Sequence, residues 1–247
     1  MSQSESLYLN KIEKRARLSP GARAAFLALP TRERHFGTYR DIIREGDRTT
    51  HSCFIKSGLV SRYKTLRSGA RAIVSFHIRG DMVDLQSSLV LIADHGIRTH
   101  VPTTIIEYQH DDLLRIAADY PEVARAFWFD TLIDSSIFRE WTLNVGRRTA
   151  RERIAHLLLE MAYRMKSAGL IDGNQMVLPI SQADLADAVG ISAVHINRSL
   201  QALRAEGLIR TYGKTVVIER WEEMARMSDF TSVYMHPEGP RQPPLAA

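Results

Sequence analysis

Between Leu178 and Glu219 the chain is punctuated as two short helices set at an angle and followed by a tight hairpin. Ser181 starts the first helix, with Asp184 at its third position, close to a capping box. Leu185, Ala186 and Val189 form its inward face, and Ala186 is small where the helices must cross. Gly190 supplies the left-handed turn that ends that helix. Ile191 fills the angle, and Ser192 caps a second helix whose Ile196, Leu200 and Leu203 point inward at helical spacing. From Leu208 to Glu219, two β-prone runs flank Tyr212-Gly213-Lys214, a tight turn. The order predicts a helix-turn-helix followed by a wing.

That geometry leaves Ala193, Val194, His195, Asn197 and Arg198 on the outward or N-terminal face of the second helix, the face that enters the DNA major groove in such motifs. Arg198 has the fork that pairs with guanine O6 and N7. His195 and Asn197 can donate or accept at bases or phosphates. Ala193 and Val194 offer only apolar contact, for example to a thymine methyl. Ser181, Gln182 and Ser192 lie at helix N-termini, where hydroxyl and backbone N–H groups suit phosphate. Lys214 at the wing tip is placed for a phosphate, with Tyr212 packing or hydrogen-bonding beside it. The chain is basic, with a formal net charge of +5 and a pI near 9.5. This favours polyanionic partners, and the positive excess is densest over residues 144–214. Double-stranded DNA is the expected partner. An effector-binding or interaction module of the same fold that no longer reads DNA is the alternative; retention of Arg198 and Lys214 favours the first reading.

Upstream the texture differs. Residues 7–30 read as short helices, with Ser19 as a cap and Pro20 in the first turn. From about 36 to 115, Gly46, Gly58, Gly69 and Gly80 recur in turn sequences at intervals of 11 or 12. Between them lie β-prone runs over 52–55, 59–63 and 72–78, with a further strand over 103–108, so an all-β roll is expected. Pro121 opens a long helix over 121–143. Val123, Phe127, Ile133, Ile137 and Trp141 share one broad apolar face, and Trp128 and Phe129 extend it. That excess of apolar surface points to a partner helix, hence a homodimer interface at those five residues; packing on the chain's own β domain is the alternative. Asn144-Val145-Gly146 marks a hinge, and a further amphipathic helix follows over 149–166. The units expected are a β-roll over 1–120, a dimerisation helix and hinge over 121–146, the winged helix-turn-helix over 147–235, and a proline-rich disordered tail over 236–247.

The sequence also excludes classes. No phosphate loop, His-Glu-x-x-His, Gly-x-Ser-x-Gly or paired cysteine ligands occur, so an enzyme is not expected. With the single cysteine Cys53 an internal disulfide is impossible, which suits a reducing compartment. No signal-type apolar run opens the chain and none approaches the ~20 residues that span a bilayer, so a cytoplasmic protein with no membrane partner is expected.

These residues together resemble the Crp/Fnr superfamily of bacterial regulators over nearly the whole chain. Ile43-Arg44-Glu45-Gly46-Asp47, Phe54 to Val60 and Gly80-Asp81-Met82 look like that family's successive β-roll turns. Arg151 to Ala155 resembles the start of its DNA-binding domain, and Gly190 to Arg198 with Gly213 to Val217 resembles its recognition helix and wing. The resemblance implies an α+β fold with an N-terminal cyclic-nucleotide-binding-like β-roll, a long dimerisation helix and a C-terminal winged helix-turn-helix. It implies a homodimer reading a palindrome, with Arg198 as the family's recognition-helix arginine, and RNA polymerase as a further partner for an activator. In cAMP-binding members a glutamate after the Gly-Asp turn holds ribose and an Arg-Ser or Arg-Thr pair holds phosphate. Here Asp84-Leu85 puts leucine in place of the glutamate, and Ala93-Asp94 falls where the arginine pair would lie. An aspartate there repels phosphate. cAMP is therefore not the expected effector; Asp84, Gln86, Arg98 and Thr99 are the candidate residues for another small molecule. An iron–sulfur cluster needs more cysteines than Cys53, and His77, His95 and His100 read as ordinary residues rather than haem ligands. No cofactor or metal is expected.

Overall fold

The computed structural model describes residues 5–13 and 17–239. Helices α1 (Glu5–Glu13) and α2 (Pro20–Leu27) come first, and the Ser19 hydroxyl accepts the Ala22 N–H to start α2. Eight strands follow: β1 (Thr31–Phe36), β2 (Asp41–Ile43), β3 (His51–Ser57), β4 (Leu59–Thr65), β5 (Arg71–Ile78), β6 (Met82–Val83), β7 (Gly96–Thr99) and β8 (Thr103–Gln109). They form two antiparallel four-stranded sheets, ordered β1-β8-β3-β6 and β2-β7-β4-β5. Ile43, Ile55, Val60, Val83, Ile97 and Ile105 fill the space between them, as inward positions of a sandwich or roll must. Four strands lie outside the β-prone runs, β1, β2, β6 and β7, and each is short or polar. Strand β1 reads Thr-Arg-Glu-Arg-His-Phe and is exposed over most of its length, so no alternation marks it; backbone pairing with β8 from Thr31↔Tyr108 to Phe36↔Thr103 makes it a strand.

The turn between β3 and β4 needs Gly58. Its φ is +112°, and a Cβ there would lie 2.9 Å from the Thr103 Cα. Both the dihedral and the space exclude a side chain. Gly58→Ala is expected to cost about 3 kcal/mol, read as a fall in the urea midpoint at constant m-value.

Helix α3 (His110–Asp119) precedes α4 (Pro121–Arg147), which runs unbroken through Asn144-Val145-Gly146. The expected hinge at 144–146 is therefore displaced. One glycine costs a helix only about 1 kcal/mol, and Asn144 is buried and donates from Nδ2 to the Arg153 carbonyl at 3.3 Å. The chain leaves the helix at Arg148, and Thr149 with Glu152 forms a full capping box for α5 (Ala150–Ser167).

The structure also turns α4 over relative to the dimer reading. Val123 and Phe127 pack on α1, α2 and Tyr108. Ile133, Ile137 and Trp141 pack on β5 and α5. Trp141 meets Phe76 edge-on at 6.0 Å and donates to Glu160. All five are buried against the chain's own core, at 8% exposure or less. Other apolar residues of the helix are exposed: Trp128 (67% exposed), Leu132 and Leu143 on the opposite side, and Phe138 and Val145 beside the buried face. A helix that is apolar on both sides does not reveal by periodicity which side meets its own domain.

The C-terminal unit adds β9 (Gln175–Val177), α6 (Gln182–Val189), α7 (Ala193–Ala205), β10 (Ile209–Tyr212), β11 (Thr215–Ile218) and α8 (Trp221–Ser228). Its core of Ile154, Leu158, Met161, Leu203, Leu208 and Met224 is continuous with the inner face of α4. Of the tail expected to be disordered, His236 to Gly239 are folded back on α4. The His236 ring lies edge-on to Phe129 and 3.3 Å from the Ser136 hydroxyl. Residues 240–247 lie outside the described residues.

Candidate nucleic-acid interface

The helix-turn-helix is built from its caps inward. The Ser181 hydroxyl accepts the Asp184 N–H at 3.0 Å and donates to the Asp184 carboxylate at 2.6 Å. Gly190 closes α6 with φ +67° and ψ 39°, and the Ser192 hydroxyl accepts the His195 N–H at 3.4 Å. Leu185, Ala186 and Val189 are buried against Ile196, Leu200 and Leu203, which sets the crossing of the two helices. Ala193, Val194 (69% exposed), His195, Asn197 and Arg198 all face outward on α7. Gln201, which the motif reading passed over, is exposed on the same face. It lies three residues beyond Arg198 and four beyond Asn197, so helical spacing alone brings it into the stripe.

Not every cap residue is free. Both functions of the Ser181 hydroxyl go to Asp184, so Gln182, exposed beside it, is the freer side chain at that helix end. The His195 Nδ1 sits 2.9 Å from the Ser192 hydroxyl, which leaves Nε2 as the ring atom turned to a ligand. In the wing, β10 and β11 pair from Ile209↔Ile218 to Tyr212↔Thr215, with Gly213 at φ +58°. Tyr212 and Lys214 are exposed at its tip. Strand β9 adds a third strand through Val216↔Met176, which stiffens the wing.

The four effector candidates do not form one cluster. Asp84 is fully buried at φ 72°. Its carboxylate accepts from Ser87 and, at 3.4 Å, from Gln86, and it stands 3.9 Å from His95 Nε2. Burial pushes its pKa up, against the opposing hydrogen bond from Ser87. Arg98 instead lies over the Tyr39 ring and donates to the Tyr39 carbonyl, and the Thr99 hydroxyl donates to the Gly37 carbonyl at 2.7 Å while accepting the Arg40 N–H. Those two residues fasten the loop before β2. Leu85 is buried in the core beside α1 and α2. Cys53 is buried on β3, and burial, with Asp84 and Glu107 near it, pushes its thiol up. Among the described residues no three His, Cys, Asp or Glu side chains are grouped to hold a metal ion, and no helix is long and apolar enough to cross a membrane.

Two family models match the chain: a cyclic nucleotide-binding domain over residues 33–120 and a Crp-like helix-turn-helix domain over residues 152–227. The chain is 26% identical over 188 residues to the transcriptional activator protein FnrL of Cereibacter sphaeroides, covering 75% of each. It is 26% identical over 178 residues to the nitrogen fixation regulation protein FixK of Bradyrhizobium diazoefficiens, covering 71% of this chain and 73% of that one. The solved structure of FixK2 from Bradyrhizobium japonicum superposes with a TM-score of 0.75 at 26% identity, over 81% of this chain and 98% of that one. A β-roll of the cyclic-nucleotide-binding type followed by a capped helix-turn-helix with a wing, matched in that order by the two domain models and by relatives aligned over 75% and 71% of the chain, places this chain in the Crp/Fnr family of transcription regulators.

Proposed function

We propose that two copies of this chain, joined along α4, bind a palindromic operator through paired α7 helices and regulate transcription from it. The observation that carries this reading is the α7 face: five expected contact residues stand exposed together on a helix whose caps and crossing are fully built. Arg198 reads a guanine, Val194 and Ala193 meet apolar base edges, Asn197 and Gln201 bond bases or phosphates, and Lys214 holds a phosphate from the wing. On α4, Trp128, Leu132, Ser135, Arg139, Thr142 and Gly146 follow the alternating four- and three-residue spacing of a coiled-coil seam, and all six are exposed. The names of the relatives as activators support a contact with RNA polymerase at the promoter. Leu85 in the core and a buried Asp84 support the reading that cAMP is not the effector of the β-roll.

The test is selection from a random duplex library with ligand-free protein at moderate salt. Enrichment of a palindrome with half-site centres about 10 bp apart is expected. Salt-sensitive binding without enrichment would instead favour the effector-binding module that has lost specific recognition. In the same assay Arg198→Ala is expected to lose about 1–3 kcal/mol and to relax one base per half-site. Unchanged preference at every base would remove Arg198 from the base-reading set.

A further inference from the structure

The first helix of the motif is held by the sensor domain as well as by its own cap. Arg71, the first residue of β5, reaches across to α6. Its Nη2 lies 2.6 Å from Asp184 Oδ1 and 2.7 Å from Asp187 Oδ2, and its Nε donates to Asp187 Oδ2 at 2.8 Å. His100, just after β7, approaches the same Asp184 from inside the sensor domain. Its Nδ1 is 3.3 Å from Asp184 Oδ2, and its Nε2 is 2.8 Å from the Ser61 hydroxyl on β4. The ring is buried and meets Phe76 edge-on at 5.5 Å. Asp184 is thus at once the cap partner of Ser181 and the point where two sensor-domain cations or donors converge. It is only 2% exposed. Burial alone would raise its pKa, but His100, Ser181 and Arg71 outweigh that and hold the carboxyl well below the usual range.

We infer that Arg71 and His100 are positioning residues for DNA recognition, acting through Asp184 and Asp187 to hold the helix-turn-helix in its DNA-competent orientation. The inference rests on the DNA-binding reading above and adds the place where the sensor domain grips the motif. Two observations set its direction. With α6 docked in this way, the outward face of α7 and the wing tip stay clear of the rest of the chain. The first helix of such a motif crosses the DNA backbone, so an uncompensated Asp187, the more exposed of the two carboxylates on α6, would repel a nearby phosphate. The single charge of Arg71 offsets one of the two carboxylate charges and so reduces the repulsion at that edge. A second bridge, Arg164 of α5 to Asp81 of the sensor domain at 2.9 Å, fixes the other end of the unit. Release of the Arg71 grip leaves α6 tied to the β-roll by His100 and loosens the motif about the Arg148–Thr149 break.

The experiment is a double-mutant cycle on the affinity of the full chain for its selected operator. Arg71→Ala is expected to weaken binding on the order of tenfold, within the range of coupled sites. Asp187→Ala weakens it less, and the double variant binds no more weakly than Arg71→Ala, because the same ion pair is removed each time. Arg71→Lys, which keeps the charge but not the two-pronged reach to Asp184 and Asp187, falls between the parent and Arg71→Ala. The urea midpoints of these variants do not follow the affinities, which a purely structural role would require. Independent of DNA, spin labels at Arg67→Cys and Ala205→Cys report a broader inter-domain distance distribution in the Arg71→Ala background. Additive losses, unchanged affinity, or tighter binding by Arg71→Ala would each overturn the inference while leaving the DNA-binding reading intact. Absence of any specific operator for the parent protein would overturn both.

Discussion

Asp81→Ala is expected to lower folding stability by about 3–5 kcal/mol, the cost of removing one partner from a buried ion pair. The Asp81 carboxylate receives Lys11 Nζ at 2.9 Å, Arg164 Nη2 at 2.9 Å and the Ile78 N–H at 2.9 Å. Those partners come from α1, α5 and the end of β5, so one side chain ties the N-terminal helix, the sensor sheet and the DNA-binding unit. The loss falls toward the low end of the range, because Lys11 keeps Asp130 at 3.4 Å and Arg164 keeps Glu160 at 3.5 Å. Against a typical total of 5–15 kcal/mol the change is still large. The measurement is urea unfolding at pH 7, and an unchanged midpoint would refute the role given to Asp81.

The pH dependence gives a second view of the same residue. Burial alone would raise Asp81, but Lys11, Arg164 and His77 outweigh it and hold the carboxyl far below the usual range. A carboxyl lowered in the folded state contributes stability that is present above the unfolded value of about 3.9 and is lost as pH falls below it. The difference between parent and variant should therefore shrink as pH drops below about 4. His77 and His156 act in the same direction from higher pH. Burial lowers each to about 3, so both cost stability as pH falls from about 6.5 toward 3.

The second large effect is on assembly. Trp128→Glu combined with Leu132→Glu is expected to give a folded monomer. Both side chains are exposed on α4 and neither contributes to the core, so the substitution places charge only where the second copy is proposed to pack. With one recognition helix instead of two, operator affinity should fall on the order of 10²–10⁴-fold. Sedimentation velocity and operator titration on the same sample check it. A persistent dimer would move the interface elsewhere. As a contrast, Ile137→Glu should unfold the protein rather than dissociate it, because Ile137 is buried against the chain's own core.

What could be read from the sequence was everything settled within three or four residues. Ser19, Ser181 and Ser192 accept N–H groups three positions on, Gly190 and Gly213 take positive φ, and Pro121 opens a helix. Each is a local bond or dihedral preference, so the helix-turn-helix, the wing and the β-roll turns were legible before any tertiary contact. The α7 contact face followed from helical periodicity once its caps were placed. The choices left to tertiary structure were those a residue's near neighbours cannot make. Which side of α4 is inside depends on β5, α2 and α5 arriving at it, since both sides carry apolar residues. Strand β1 exists because β8 pairs with it, and its polar sequence carries no alternation. The helix through Gly146 and the folded His236 depend on partners at Arg153, Ser136 and Phe129. Asp184 shows both levels in one side chain. Its cap with Ser181 is three residues long and readable from sequence, whereas its ion pair with Arg71 spans 113 residues and arises only when the two domains close on each other.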